Sequence, residues 1–300
     1  MFTGCGTALV TPFCSDGTLD EQALRSLIQR QLNAGIDFLV PCGTTGESPT
    51  LTCEERLRVV RITLDLAKGR VPVLAGAGGN NTAEVVAHAL ELAALGVDGL
   101  LCVTPYYNKP TQEGLFQHYR ALASAVTLPI ILYSVAGRTG VNIEPSTVKR
   151  LSSIHNIVGI KEASGSIAQM SAILNCVPHD FLVLSGDDAL TLPLLALGGR
   201  GVISVVSNEI PAEMRLLTRH ALLNDFPAAR ELHRRFLPLM EINFVESNPI
   251  PVKAALAEMG LLKPVWRLPL VPPSRENQAR IRTVLESLGL VERAHAAFPN

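Results

Sequence analysis

Val158-Gly159-Ile160-Lys161-Glu162-Ala163 is a short β-branched run of the kind that forms a strand buried on both faces of a parallel sheet. Side chains alternate across a strand, so Gly159 and Lys161 point one way while Val158, Ile160 and Glu162 point the other. Glu162, although adjacent in sequence, is thereby excluded as the ion partner of Lys161. A well-hydrated lysine amine is protonated at neutral pH. A low-dielectric interior disfavours the ammonium and frees the lone pair, which is what a Schiff-base lysine needs. On this run alone a second reading stands beside that one, a strand-end lysine whose ammonium snorkels to water. The rest of the chain decides between them.

The 300 residues are 47% hydrophobic and 18% charged, enough for a large core, with a formal charge of −1. No basic stripe marks a nucleic-acid or anionic-membrane surface. Met1-Phe2-Thr3-Gly4-Cys5 has neither a basic n-region nor an apolar h-region, so no signal peptide is expected. The most apolar long segment, Ala189 to Val206, is interrupted by Pro193, Gly198-Gly199 and Arg200, which argues against a membrane span. Cys5, Cys14, Cys42, Cys53, Cys102 and Cys176 form no C-x-x-C pair and no cysteine–histidine set with zinc spacing. A cytoplasmic protein without structural disulfides or a bound metal is expected.

Seven further strand-like runs flank helical patterns: Thr7–Val10, Phe38–Cys42, Val71–Ala75, Gly99–Val103, Pro129–Tyr133, Phe181–Ser185 and Gly201–Val205. Asp20 is placed to cap the first helix, through Leu24, Leu27, Ile28 and Leu32. With the Lys161 run these make eight strand–helix repeats and no long linker, which predicts an α/β fold, a (β/α)8 TIM barrel over residues 1–224. An open Rossmann-like sheet is the runner-up, but no G-x-G-x-x-G follows the first strand. Beyond Asp225 the strand signal ends. Ala228–Glu241, Pro251–Met259 and Glu276–Leu288 read as helices, so 225–300 is expected to be a C-terminal helical appendage.

In such a barrel the site lies at the carboxyl ends of the strands. Gly43-Thr44-Thr45-Gly46-Glu47-Ser48 follows the second strand and Thr104-Pro105-Tyr106-Tyr107-Asn108-Lys109 the fourth. The fifth ends in Tyr133 and leads to Arg138-Thr139-Gly140, the sixth in Lys161, the seventh in Ser185-Gly186-Asp187-Asp188. Singly, each has an ordinary explanation: a tight turn, a core tyrosine, a solvated arginine, an aspartate capping a helix. Lys109, between Asn108 and Pro110, reads as hydrated and inert. Together the set suits a carbonyl compound that also bears a carboxylate. Lys161 attacks the ketone, and the iminium draws off a proton from the adjacent carbon. Thr44 and Thr45 hold the carboxylate, Tyr133 carries protons, and Arg138 forks onto a second carboxylate. None of these steps calls for a metal.

These motifs, with Asn248-Pro-Ile-Pro-Val-Lys253, resemble the 4-hydroxy-tetrahydrodipicolinate synthase (dihydrodipicolinate synthase) family of the class I pyruvate-dependent lyase/aldolase superfamily, from Phe2 to about Leu290. The resemblance implies condensation of pyruvate with L-aspartate 4-semialdehyde, the first committed step toward diaminopimelate and lysine. It implies a covalent pyruvate imine on Lys161 and no other cofactor. It implies a proton relay of Thr45, Tyr133 and Tyr107, with Tyr107 crossing a dimer interface. Arg138 is implied to hold the semialdehyde carboxylate, Thr44 and Ile203 to line the pyruvate site, and the assembly to be a homotetramer, a dimer of dimers. A lysine effector site is implied around Ser48, Asn80, Glu84 and Tyr106.

Two departures stand out. Tyr133-Ser134-Val135-Ala136-Gly137-Arg138 lacks the proline the family places before its arginine, which frees the backbone aiming Arg138. Cys53 and Arg56 stand where strongly inhibited members carry histidine, and a cationic Arg56 repels a lysine ammonium, so weak or absent feedback is expected. The nearest rivals are a pyruvate aldolase acting on N-acetylneuraminate or a 2-keto-3-deoxy sugar acid, and a non-catalytic keto-acid-binding barrel.

Overall fold

The computed structural model describes residues 1–292. Strands β1 (Gly4–Ala8), β2 (Phe38–Val40), β3 (Leu74–Gly76), β4 (Gly99–Val103), β5 (Ile130–Ser134), β6 (Ile157–Glu162), β7 (Leu182–Ser185) and β8 (Gly201–Ser204) alternate with helices. All neighbouring pairs are parallel, in the order β2-β1-β8-β7-β6-β5-β4-β3. The remaining gap closes with a parallel bridge between Leu39 and Val73, where Leu39 N donates to Pro72 O and Gly76 N to Pro41 O, each at 3.0 Å. The result is the expected TIM barrel. β1 starts three residues earlier than the apolar run suggests, and β3 begins only at Leu74.

The helices are α1 (Glu21–Asn33), α2 (Cys53–Ala67), α3 (Thr82–Leu95), α4 (Gln112–Ala125), the short turn α5 (Ala136–Thr139), α6 (Pro145–Leu151), α7 (Ile167–Cys176), α8 (Thr191–Ala196), α9 (Pro211–Leu222), α10 (Phe226–Ile242), α11 (Ile250–Glu258) and α12 (Arg275–Ser287). Asp20 caps α1 as its spacing predicts, accepting from Ala23 N at 3.0 Å. Thr52 and Glu55 form a reciprocal capping box on α2. The last stretch of the expected C-terminal region, 293–300, lies outside the described residues. Among the described residues no helix is long and apolar enough to cross a membrane.

Alternation along the strands divides the core in two. Ala8, Phe38, Val40, Leu74, Leu101, Ile131, Tyr133, Leu184 and Ile203 fill the barrel interior, while Cys5, Leu39, Leu100, Ile130, Leu132, Ile160, Val183 and Val202 pack outward against the helices. Val158 departs from the expected face. Ile130 pairs with Ile157 but Ile131 pairs with Gly159, so one extra residue is accommodated there and Val158 packs on the interior cluster. Past this bulge the alternation runs as read: Lys161 pairs in register with Tyr133, and Ile160 faces the helices.

Candidate active site

Lys161 ends β6 inside the barrel and is 5% exposed. Its Nζ lies 4.4 Å from the centre of the Tyr133 ring, and among the described residues it has no acidic partner. Glu162 points the other way. Its Oε1 accepts from Ser164 N and from Gln169 Nε2, its Oε2 is buried without a partner, and burial raises its carboxyl pKa. The amine therefore stands in a buried wall with an aromatic face for a neighbour.

A cavity of about 200 Å³ opens on this amine, lined by Thr45, Tyr133, Arg138, Lys161, Gly186 and Asn248 among others. Gly186 is there for space. A Cβ on it would stand 2.6 Å from the Ala163 methyl and 3.1 Å from Lys161 Cε, so a side chain would displace the lysine stem. A second cavity of about 270 Å³ shares Tyr133, Val135 and Arg138 with the first and adds Thr44, Ser48, Arg56 and Tyr106. Cys42, also on its wall, is no nucleophile there, since burial pushes its thiol up to about 12.

Among the described residues the expected set is only partly gathered. Lys161, Tyr133, Thr45 and Arg138 share one cavity; Thr44, Ser48 and Tyr106 line the other. Ile203 is fully buried in the interior cluster with Tyr133 and lines neither cavity. Asn80 and Glu84 lie outside both. Asn80 O accepts from Asn108 Nδ2, and Glu84 Oε1 from Asn81 Nδ2. Tyr107 is 88% exposed at φ +69°, a left-handed conformation costly for a side chain of its size, and it reaches neither cavity of this chain. Lys109 is exposed.

Arg138 sits on the turn α5. Its backbone is held by hydrogen bonds of the turn: Arg138 N and Thr139 N both donate to Val135 O, and Gly140 N to Ala136 O. The guanidinium Nη2 donates to Asn248 O at 2.9 Å. Neither member of Asp187-Asp188 caps α8; Asp187 Oδ1 accepts from Ala189 N, and Asp188 serves elsewhere. Its buried Oδ2 accepts from Val205 N and Val206 N, tying the end of β7 to the loop after β8, while Leu190 precedes α8 with no side-chain cap.

Sequence reasoning gave no role to Asn248 or Phe244, which line the Lys161 cavity, because both belong to the segment between α10 and α11. The helical appendage thus supplies part of the site wall. It is fixed there by Lys253 of α11, whose ammonium pairs with Glu47, both fully buried. Among the described residues no group of three or more His, Cys, Asp or Glu side chains is placed to hold a metal ion.

Comparison with known proteins agrees with this architecture. The profile of the Dihydrodipicolinate synthetase family matches residues 1–288. The chain is 54% identical to the 4-hydroxy-tetrahydrodipicolinate synthase of Koribacter versatilis over 98% of each chain. The crystal structure of dihydrodipicolinate synthase from Aquifex aeolicus superposes with a TM-score of 0.95 at 44% identity, covering 97% of this chain and 100% of that one. The Acinetobacter baumannii enzyme, solved in complex with pyruvate, superposes with a TM-score of 0.95 at 42% identity, over 97% of this chain and 100% of that one. The chain belongs to the dihydrodipicolinate synthetase family.

Proposed function

We propose that this protein condenses pyruvate with L-aspartate 4-semialdehyde through a Schiff base on Lys161, giving 4-hydroxy-tetrahydrodipicolinate. The observation that carries the reading is the Lys161 amine: buried, without an acidic partner among the described residues, and opening on a cavity with Tyr133, Thr45 and Arg138. Its lone pair attacks the pyruvate ketone and water leaves, forming the imine. Loss of a methyl proton then gives an enamine, whose carbon attacks the aldehyde; the amine of the semialdehyde next attacks the imine carbon, closing the ring and expelling Lys161 as the free amine. Thr45, which lines the Lys161 cavity, donates its hydroxyl hydrogen to the keto-acid carboxylate. Tyr133, whose ring lies beside the amine, moves protons between successive intermediates. The free N–H groups of Arg138 take the carboxylate of the semialdehyde.

Tyr107, exposed and strained on this chain, enters the relay from a second subunit, in a dimer of dimers; Thr44 and Ile203 support the pyruvate side. We place the enzyme in the cytoplasm, with catalysis in the barrel of residues 1–224 and 225–300 as its helical appendage. Lysine supplies the covalent chemistry, with no further cofactor. Incubation with pyruvate followed by borohydride is expected to add the mass of the reduced adduct to Lys161, and Lys161→Ala is expected to abolish it. Absence of an adduct on the unsubstituted enzyme sinks the reading. Turnover with a sugar aldehyde in place of the semialdehyde would favour the sugar-acid aldolase instead.

A further inference from the structure

Asn248 bonds two functional groups of the Lys161 cavity through different atoms. Its side-chain Nδ2 donates to Thr45 Oγ1 at 2.9 Å, and its main-chain O accepts from Arg138 Nη2 at 2.9 Å. Asn248 and Thr45 are both buried. The Asn248 Oδ1 has no partner among the described residues, so the bond to Thr45 is what orients the amide.

A threonine hydroxyl has one hydrogen to give and lone pairs that accept. Asn248 occupies a lone pair of Thr45, and among the described residues nothing accepts the Thr45 hydrogen. That leaves the hydrogen free to be given to a ligand in the cavity that Thr45 lines. Toward an anion the direction matters, because a hydroxyl turned the other way presents lone pairs to a carboxylate and repels it. We propose that Asn248 is a positioning residue that holds Thr45 as a hydrogen-bond donor to the carboxylate of the keto acid on Lys161. This rests on the keto-acid reading above and adds to it a residue that acts through another. The contact to Arg138 uses the main chain of Asn248, so side-chain substitution leaves that hydrogen bond in place.

The test is a double-mutant cycle of Asn248→Ala and Thr45→Val, read as KM for each substrate and as the pyruvate dependence of borohydride trapping. Loss of a hydrogen bond to a charged group predicts a rise of roughly tenfold or more in pyruvate KM for Asn248→Ala, with semialdehyde KM within about twofold. In the Thr45→Val background the same substitution is expected to add little, because the group it acts through is gone. Asn248→Asp keeps the shape but accepts from Thr45 and turns its hydrogen away, so pyruvate KM rises at least as far. Additive losses, an unchanged pyruvate KM in Asn248→Ala or Asn248→Asp, or an equal rise for both substrates overturns the assignment. Trapping on Lys161 at saturating pyruvate shows that each variant folds. Its failure in the unsubstituted enzyme would instead remove the keto-acid reading itself.

Discussion

Lys253 Nζ and Glu47 Oε1 form a fully buried ion pair 206 residues apart in sequence, linking α11 to the loop that carries Thr44 and Thr45. The ammonium also lies 4.4 Å from the Phe13 ring centre. Burial lowers the Lys253 pKa, and Glu47 opposes that shift. Removing one partner leaves an uncompensated charge in the core. Lys253→Met is expected to cost about 3–5 kcal/mol of unfolding free energy, and the double variant Lys253→Met/Glu47→Gln distinctly less. Urea unfolding of the three proteins checks this, and equal losses in the single and double variants would contradict it.

Tyr133 pairs in register with Lys161 and lies beside its amine, yet forms no bond to it. Tyr133→Phe removes the phenol and keeps the ring. It is expected to lower kcat by roughly 10²–10⁴-fold, as loss of a proton-transfer group does, while the pyruvate adduct on Lys161 still forms. Single-turnover trapping alongside steady-state rates separates the two steps.

Tyr107 points away from the cavities of its own chain. If it serves a second subunit, two inactive variants complement each other. Mixing Tyr107→Phe with Lys161→Ala after subunit exchange is expected to restore activity, because some subunit pairs then hold one intact site. Activity no higher than the sum of the separate variants would refute the shared site.

Arg56 lines the second cavity with Ser48 and Tyr106, and its Nη2 donates to Cys53 Sγ at 3.0 Å. A guanidinium in that wall repels the ammonium of an incoming lysine. Micromolar lysine is expected to leave activity unchanged, and Arg56→His to increase sensitivity. Inhibition of the unsubstituted enzyme at micromolar lysine refutes this.

His118 is buried between α3 and α4, 2.9 Å from Thr82 Oγ1, and burial lowers its pKa from 6.5 to about 4. Above pH 6.5 neither folded nor unfolded chain holds the proton. Below it the unfolded chain takes one that the folded chain refuses until about pH 4, so stability falls through that window. Between pH 6.5 and 5 the contribution of His118 to stability is expected to fall by about 1.6 kcal/mol. His118→Gln is expected to flatten that slope, measured as urea midpoints at the two pH values. An unchanged slope would count against it.

The eight strand-like runs, the helix signals between them and the lysine closing the sixth strand were legible in the sequence, because burial on both faces and a fixed alternation leave a pattern in residue type alone. Alternation also set Glu162 apart from Lys161, and the structure turns them to opposite sides of β6. Val158 was misread because a bulge changes the face of one residue without changing any residue type. Asp187-Asp188 was misread as a helix cap because the amide partners of Asp188 lie in the next strand's loop.

What the tertiary structure alone decided is which distant groups share a cavity. Asn248 reaches Thr45 across 203 residues, and Lys253 reaches Glu47 across 206. Such pairings follow from how α11 docks on the barrel, and no local periodicity records them. The sequence determined a barrel with an inward lysine; three-dimensional packing determined the company that lysine keeps, since hydrogen bonds and ion pairs depend on distance in space and not along the chain.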